Sequence, residues 1–259
     1  MTPLEVDKLF DSILTRNENR LESQVLVFFS KLSNEIKEQW IAQGITGAEA
    51  AIKRSAELLQ TIIAESYVRS GMSGGKFTIA QLNDGEDEKE DLPEEALLAL
   101  LLFWSKSEAA FAANEITGTT LDIFESLVSD AQSEGLVDAD MIKDVVEKLS
   151  QRNKNRAGTI SSTEAGKGLS KGQHEVGVEL QKKYDFQKSW RSQRDLNVSD
   201  THARANSRYA QEPINVNEMF EVGLGRGLYP RDTNLPFVEA VNCRCYTLLK
   251  KIKKNFLSI

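Results

Sequence analysis

The stretch LEVDKLFDSILTRNENRLESQVLVFFSKLSNEIKEQW, residues 4–40, decides the fold class. In it Leu9, Ile13, Leu14, Leu21, Val25, Phe28, Phe29, Leu32, Ile36 and Trp40 recur at steps of three, four and seven. That spacing lays side chains along one stripe of an α-helix. Gly44 and Gly47 interrupt the run, and a second stripe follows with Ile52, Ala56, Leu59, Ile62 and Ile63, reaching about Arg69. Two apolar stripes separated by a glycine break predict a helical hairpin over residues 1–75, its stripe serving as internal core. The end of that segment, Ser70-Gly71-Met72-Ser73-Gly74-Gly75, reads as a flexible connection.

Residues 76–93 read as an acidic linker. From Asp84 to Glu95, eight of twelve positions are Asp or Glu, a density that predicts a solvated loop. The order lacks the alternating oxygen ligands around a central glycine that a calcium loop needs, so no metal role is assigned to it. Pro93, Glu94 and Glu95 open the next helix, since proline suits the first turn and acids complement the helix dipole. That helix, Glu94 to about Asn114, carries Leu97, Leu98, Leu100, Leu101, Leu102, Phe103, Trp104 and Phe111 almost all round and is expected to be buried on most sides. Shorter helices follow at Thr119–Ser133, ended by Gly135, and from Ala139 to about Gln151, capped by Asp138. A polar, basic stretch to Ala157 precedes a last helix from about Ser161 to Lys183. Residues 94–183 thus form a helical bundle. Beyond it, residues 184–259 alternate short apolar pieces with Pro, Gly, Asn and Asp, and Glu239 to Lys250 reads as a closing strand. The expected architecture is mainly α: an N-terminal helical hairpin and a helical bundle, then a small irregular α+β module.

With 259 residues, 40% hydrophobic and 27% charged, the composition is that of a globular protein. The net charge of -7 hides an asymmetry. Residues 1–150 hold 13 Lys and Arg against 28 Asp and Glu, and the remainder holds 19 against 11. This describes two differently solvated surfaces, or a basic part that faces DNA or an acidic partner. The longest apolar run, Ala96 to Trp104, falls short of the ~18 residues of a membrane span. Met1 to Asp7 has no basic segment followed by an apolar one, so no signal peptide is expected. The two cysteines, Cys243 and Cys245, cannot supply a disulfide framework, and a bridge between them would close a strained ring. Reduced thiols are the expectation.

The last seventy residues hold the informative constellation: Trp190, Asp195, His202, Asn206, Phe220, Gly223, Pro230, Asp232, Asn242, Cys243, Arg244 and Cys245. Taken in order, an aromatic and an acid precede a His with an Asn four residues on. Then come Phe220-Glu221-Val222-Gly223, Pro230-Arg231-Asp232 and Asn242-Cys243-Arg244-Cys245. This set resembles the C-terminal signature of the Mu F-like head morphogenesis proteins of tailed bacteriophages. Upstream, Glu115 to Thr120 and Arg156 to Glu164 are similar to the helical lead-in of that family, so the resemblance covers roughly residues 94–250. Three places depart from the pattern: the usual Arg-Thr-Glu is Ser162-Thr163-Glu164, the glycine between proline and aspartate is Arg231, and the glycine-rich turn between Phe220 and Pro230 is Gly223-Leu224-Gly225-Arg226-Gly227.

What the resemblance implies is a minor capsid protein without enzymatic activity. It would act in head morphogenesis in the virion, at the capsid interior or portal vertex, and in the host cytoplasm during assembly. The implied partners are portal protein and major capsid or scaffolding protein, with double-stranded DNA as a further partner and no membrane. The alternative is a Mu F-like module with cysteine hydrolase or toxin-related activity. There Cys243 or Cys245 would be the nucleophile, His202 the base and Asn206 its orienter. The residues also allow a zinc site of His202, Cys243 and Cys245 with Asp195 or Asp232. The reading adopted is that the cysteines are packed thiols, with no metal, no cofactor and no catalytic residue. Asp232 and Asn242 then hold turns. The second histidine, His174, sits among Lys171, Gln173 and Glu175 and is expected on a solvated helix face.

Overall fold

The fold of the computed structural model, which describes residues 1–86, 89–193 and 198–252, is mainly α with a small C-terminal α+β module. Helices α1 (Pro3–Leu82), α2 (Glu94–Ser133) and α3 (Asp138–Leu180) precede strand β1 (Asp185–Arg191) and helix α4 (Asp200–Gln211). Strands β2 (Ile214–Asn215), β3 (Phe220–Val222) and β4 (Gly225–Gly227), the short helix α5 (Phe237–Ala240) and strand β5 (Tyr246–Ile252) complete it. The chain divides into two compact units. One comprises Met1–Glu18, Ser66–Phe103 and Ser162–Ile259, the other Asn19–Glu65 and Trp104–Ser161.

In the second unit the sequence-predicted hairpin forms at Gly44. Its φ of 70° and ψ of -165° interrupt the helical backbone of α1, a conformation that only glycine adopts without strain. On either side the two stripes are buried, Leu21 to Trp40 on one arm and Ala48, Ala51, Ile52, Leu59 and Ile63 on the other. Arg54 and Glu35 bridge the arms at 3.3 Å, and Trp40 meets Phe124 of α2 edge-on at 5.3 Å. The break expected between Asn114 and Thr119 is absent, because α2 runs on through Gly118. Nor does the basic stretch 151–157 interrupt α3. Arg156 within it donates to Thr120 Oγ1 at 3.2 Å and to the Ile116 carbonyl at 3.4 Å. Packing overrides weak local propensity at both places.

In the first unit the segment expected to be a flexible connection is helical, and its glycines are contact points. A Cβ at Gly71 would strike Leu101, at Gly74 the Leu169 backbone, and at Gly75 Leu97. On the facing helix, a Cβ at Gly168 would crowd the Tyr67 backbone, and one at Gly172 would overlap the Gly71 backbone. The absence of side chains lets α1 and α3 approach to backbone contact, a use of glycine that composition alone reads as flexibility.

Helix α2 corrects a second expectation. Leu97 and Leu101 are buried, but Leu98, Leu100 and Leu102 are exposed and Phe103 is 83% exposed, so this part of the helix buries one face only. Helix α2 also contains an 18-residue window of mean hydropathy 1.4, one third of it buried. Among the described residues there is therefore one helix long and apolar enough, by length and composition, to cross a membrane, where the sequence reading found only a shorter run.

The α+β module is built on an antiparallel sheet of order β2-β1-β5, with β3 and β4 forming a separate two-stranded ribbon. The closing strand begins at Tyr246, not near Glu239, because Phe237–Ala240 winds into α5 and Asn242 turns the chain with φ of 53°. The start of α1 completes this module. Phe10 stacks on Tyr246 at 4.2 Å with Phe77 edge-on to both. Asp7 pairs with Arg191 at 3.2 Å and accepts the Tyr246 hydroxyl proton at 2.5 Å. Thr2 and Glu5 cap the helix reciprocally, with Pro3 in the first turn.

Candidate functional site

Four elements bring the signature residues together. Helix α4 is capped by Ser199, whose hydroxyl accepts from the His202 amide at 3.4 Å. It turns His202, Ala205 and Tyr209 inward. Trp190 enters from β1 and Phe220 from β3, and both pack with Tyr209, Leu235, Cys243 and Cys245 in one core. The rings meet edge-on, Trp190 with Phe220 at 5.4 Å and Tyr209 with Phe220 at 4.8 Å. Asn242, Cys243, Arg244 and Cys245 lie in the loop before β5, not on a strand as expected. That loop is tied down at its start by the Asn242 amide, which donates to Thr163 Oγ1 at 3.3 Å. Arg244 pairs with Asp11.

Around His202 the geometry is specific. Its Nδ1 lies 3.5 Å from Cys245 Sγ, and its Nε2 lies 3.1 Å from Glu239 Oε2, near enough for an ion pair though poorly aligned for a hydrogen bond. Glu239 is fixed by Thr201, whose hydroxyl donates to Oε2 at 2.7 Å. Gly223, with φ of 56°, leaves room for that carboxylate, which a Cβ would strike. The Cys245 amide points at Cys243 Sγ at 3.5 Å. Neither thiol is in a disulfide, and both are buried. One ligand atom from each of His202, Cys243 and Cys245 can be chosen so that all three lie within 4.8 Å of one another. A cavity of about 140 Å³ opens onto them, lined also by Ser199, Val238 and Asn242.

The charges are unusual. Arg231 is fully buried with φ of 65°, the left-handed conformation a glycine would take. Its guanidinium lies where a Cβ on Gly166 would fall. Nη1 donates to the Cys245 carbonyl at 3.2 Å, and Nε and Nη2 have no hydrogen-bond partner among the described residues. Burial alone would raise the Cys243 thiol, but hydrogen bonds with Cys245 and His202 and the charge of Arg231 outweigh it and hold the group well below its ordinary range. Burial and the adjacent Cys243 sulfur push Cys245 up. Burial would lower His202, yet Cys243 and Glu239 raise it. These influences favour the thiolate form of Cys243 and the protonated form of His202 relative to their ordinary balance.

The other predicted residues fall elsewhere. Asp232 does not join the His-Cys-Cys group. Its carboxylate holds a turn, accepting from the Leu228 amide at 2.6 Å and from the Asn234 amide and side chain at 3.0 and 2.9 Å. Pro230 is buried beside that turn. Asn206 does not orient His202; its side-chain oxygen accepts from the Ser192 amide at 3.1 Å. Asp195 lies outside the described residues. His174 is not solvated: it is buried, 5.3 Å from the Tyr229 ring, and burial with the charges of Lys188 and Lys171 lowers its pKa to about 3. Lys188 is fully buried, donates to the Leu228 carbonyl at 2.6 Å and is lowered to about 7, chiefly by burial. Sequence reasoning missed Glu239 and Arg231. The one available signal was that Arg231 stands where the pattern has glycine.

Comparison of the chain with protein-family models, curated proteins and solved structures finds no match in any of the three.

Proposed function

We propose that the protein is a minor capsid protein of a tailed bacteriophage, acting in head morphogenesis at the portal or capsid interior without catalysing a reaction. The observation that supports this reading is the convergence of a dispersed signature. Thr163 holds Asn242, Gly223 admits Glu239 to His202, Asp232 closes the turn after the β3-β4 ribbon, and Trp190 and Phe220 pack with both cysteines. Of the residues in an order that resembles the Mu F-like pattern, Trp190, Phe220, Cys243 and Cys245 share one core, and the others hold the turns and loops around it. The exposed leucines of α2 and Phe103 offer an apolar face of the kind that subunit interfaces cover. The partners proposed are portal protein and major capsid or scaffolding protein, with packaged DNA as a further contact.

The test is co-expression with the portal and major capsid proteins of the same phage, followed by sedimentation. The chain is expected in the procapsid fraction at low copy number. A chain that stays wholly in the free-protein fraction, although procapsids form, overturns the reading.

A further inference from the structure

We propose that His202 Nδ1 and the thiolates of Cys243 and Cys245 hold a zinc ion, with Glu239 fixing the imidazole from its other nitrogen and water filling the fourth position from the cavity. Three independent features carry this.

The first is distance. Ligands at zinc–sulfur and zinc–nitrogen lengths around a tetrahedron stand about 3.5–3.8 Å apart. His202 Nδ1 and Cys245 Sγ are already 3.5 Å apart, and all three ligand atoms fit within 4.8 Å. Small side-chain rotations would close the set.

The second is the division of labour on the imidazole. A ligating histidine commonly presents one nitrogen to the metal and its other N–H to a carboxylate, which fixes the tautomer and strengthens the ligand. Nδ1 faces the sulfurs while Nε2 faces Glu239 at 3.1 Å, and Glu239 is itself held by Thr201. A histidine buried only for packing has no need of both arrangements.

The third is charge. A divalent ion would balance two thiolates, and the buried surroundings supply one further cation, Arg231, and one anion, Glu239. Arg231 lies beside the cluster, its Nη1 donating to the Cys245 carbonyl at 3.2 Å, with Nε and Nη2 lacking a hydrogen-bond partner among the described residues. Two thiolates and an imidazole suit zinc rather than magnesium or calcium, which take oxygen ligands. The cavity lined by Ser199, Val238 and Asn242 gives the ion a way in.

The test uses the full-length chain, prepared without added metal or chelator, with elemental analysis as the readout. About one zinc per chain is expected. After chelation and reloading with cobalt, thiolate-to-cobalt charge transfer in the near ultraviolet and tetrahedral ligand-field bands in the visible should appear at one equivalent. Cys243→Ser and Cys245→Ser should each lose the charge-transfer intensity in proportion, and Leu98→Ala, on the exposed face of α2, should bind metal as the wild type does. Glu239→Gln should keep the one-to-one stoichiometry with affinity lower by about 10–100-fold. Wild-type protein that carries under about a tenth of an equivalent and shows no cobalt spectrum overturns the site. Stoichiometric iron in place of zinc overturns the choice of metal, and unchanged affinity in Glu239→Gln overturns the role given to that residue. Each of these measurements is independent of whether the protein enters a phage head.

Discussion

At the scale of the residue, His174 gives the clearest pH dependence. Its folded pKa of about 3 lies below the ordinary 6.5. Between those values the unfolded chain therefore binds the extra proton and the folded one does not, so stability rises with pH there. The contribution is complete above about pH 6.5 and is lost as pH falls toward 3, with a slope of at most about 1.4 kcal/mol per pH unit from this one group. Chemical denaturation of His174→Gln across pH 3–7 should show a shallower acid loss than the wild type, and an identical slope would refute the assignment. The same residue marks a limit of sequence reading. Flanked by Gln173 and Glu175 it looks solvated, and only the partner ring of Tyr229 makes its face an interior one. Glu239 was invisible for a similar reason. Nothing in Val238-Glu239-Ala240 says that the chain folds back past Gly223, whereas the cysteines and His202 announced themselves by residue type.

Among the elements, the helices were legible wherever apolar residues kept a 3.6 period, and their junctions were legible only where the backbone truly turns. Gly44 and Gly135 take positive φ and end their helices. Gly71, Gly74 and Gly118 look the same in sequence but continue them. A Cβ would meet nothing within 4 Å at Gly44, Gly118 or Gly135 and would clash at Gly71 and Gly74, so only the last two are contact points. Gly172→Ala should cost several kcal/mol, at the upper end for a single substitution, because its Cβ would overlap the Gly71 backbone and two helices would have to separate. Gly118→Ala should stabilise by about 0.5–1 kcal/mol, since its Cβ meets nothing within 4 Å and alanine is the better helix former. Equilibrium denaturation of the two variants decides the matter, and equal shifts would remove the distinction drawn here. The start of α2 after Pro93 followed the sequence, but its exposed leucines did not, because hydrophobicity all round a helix reports affinity for an apolar surface and not whether one is present.

For the whole molecule, the α+β module depends on residues from the far end of the chain. Phe10, Asp7 and Asp11 meet Tyr246, Arg191 and Arg244. Periodicity reports that Phe10 is on an apolar stripe and is silent about which strand it meets. Phe10→Ala should cost about 3–5 kcal/mol, as for other buried aromatic truncations. In near-ultraviolet circular dichroism it should weaken the Tyr246 environment, and an unperturbed spectrum with unchanged melting would contradict the packing described. The same arrangement has a consequence for how the protein is made. Phe10 leaves the ribosome well before Tyr246, so at ordinary elongation rates of about 5–20 residues per second the wait between them is roughly 10–50 s. During that interval the aromatic face of the first helical turns has no strand to rest on, while the hairpin around Gly44 can close as soon as its two arms emerge. Birth order therefore favours an early helical kernel and a late closure, awaiting β5, of the module that holds His202 and the cysteines.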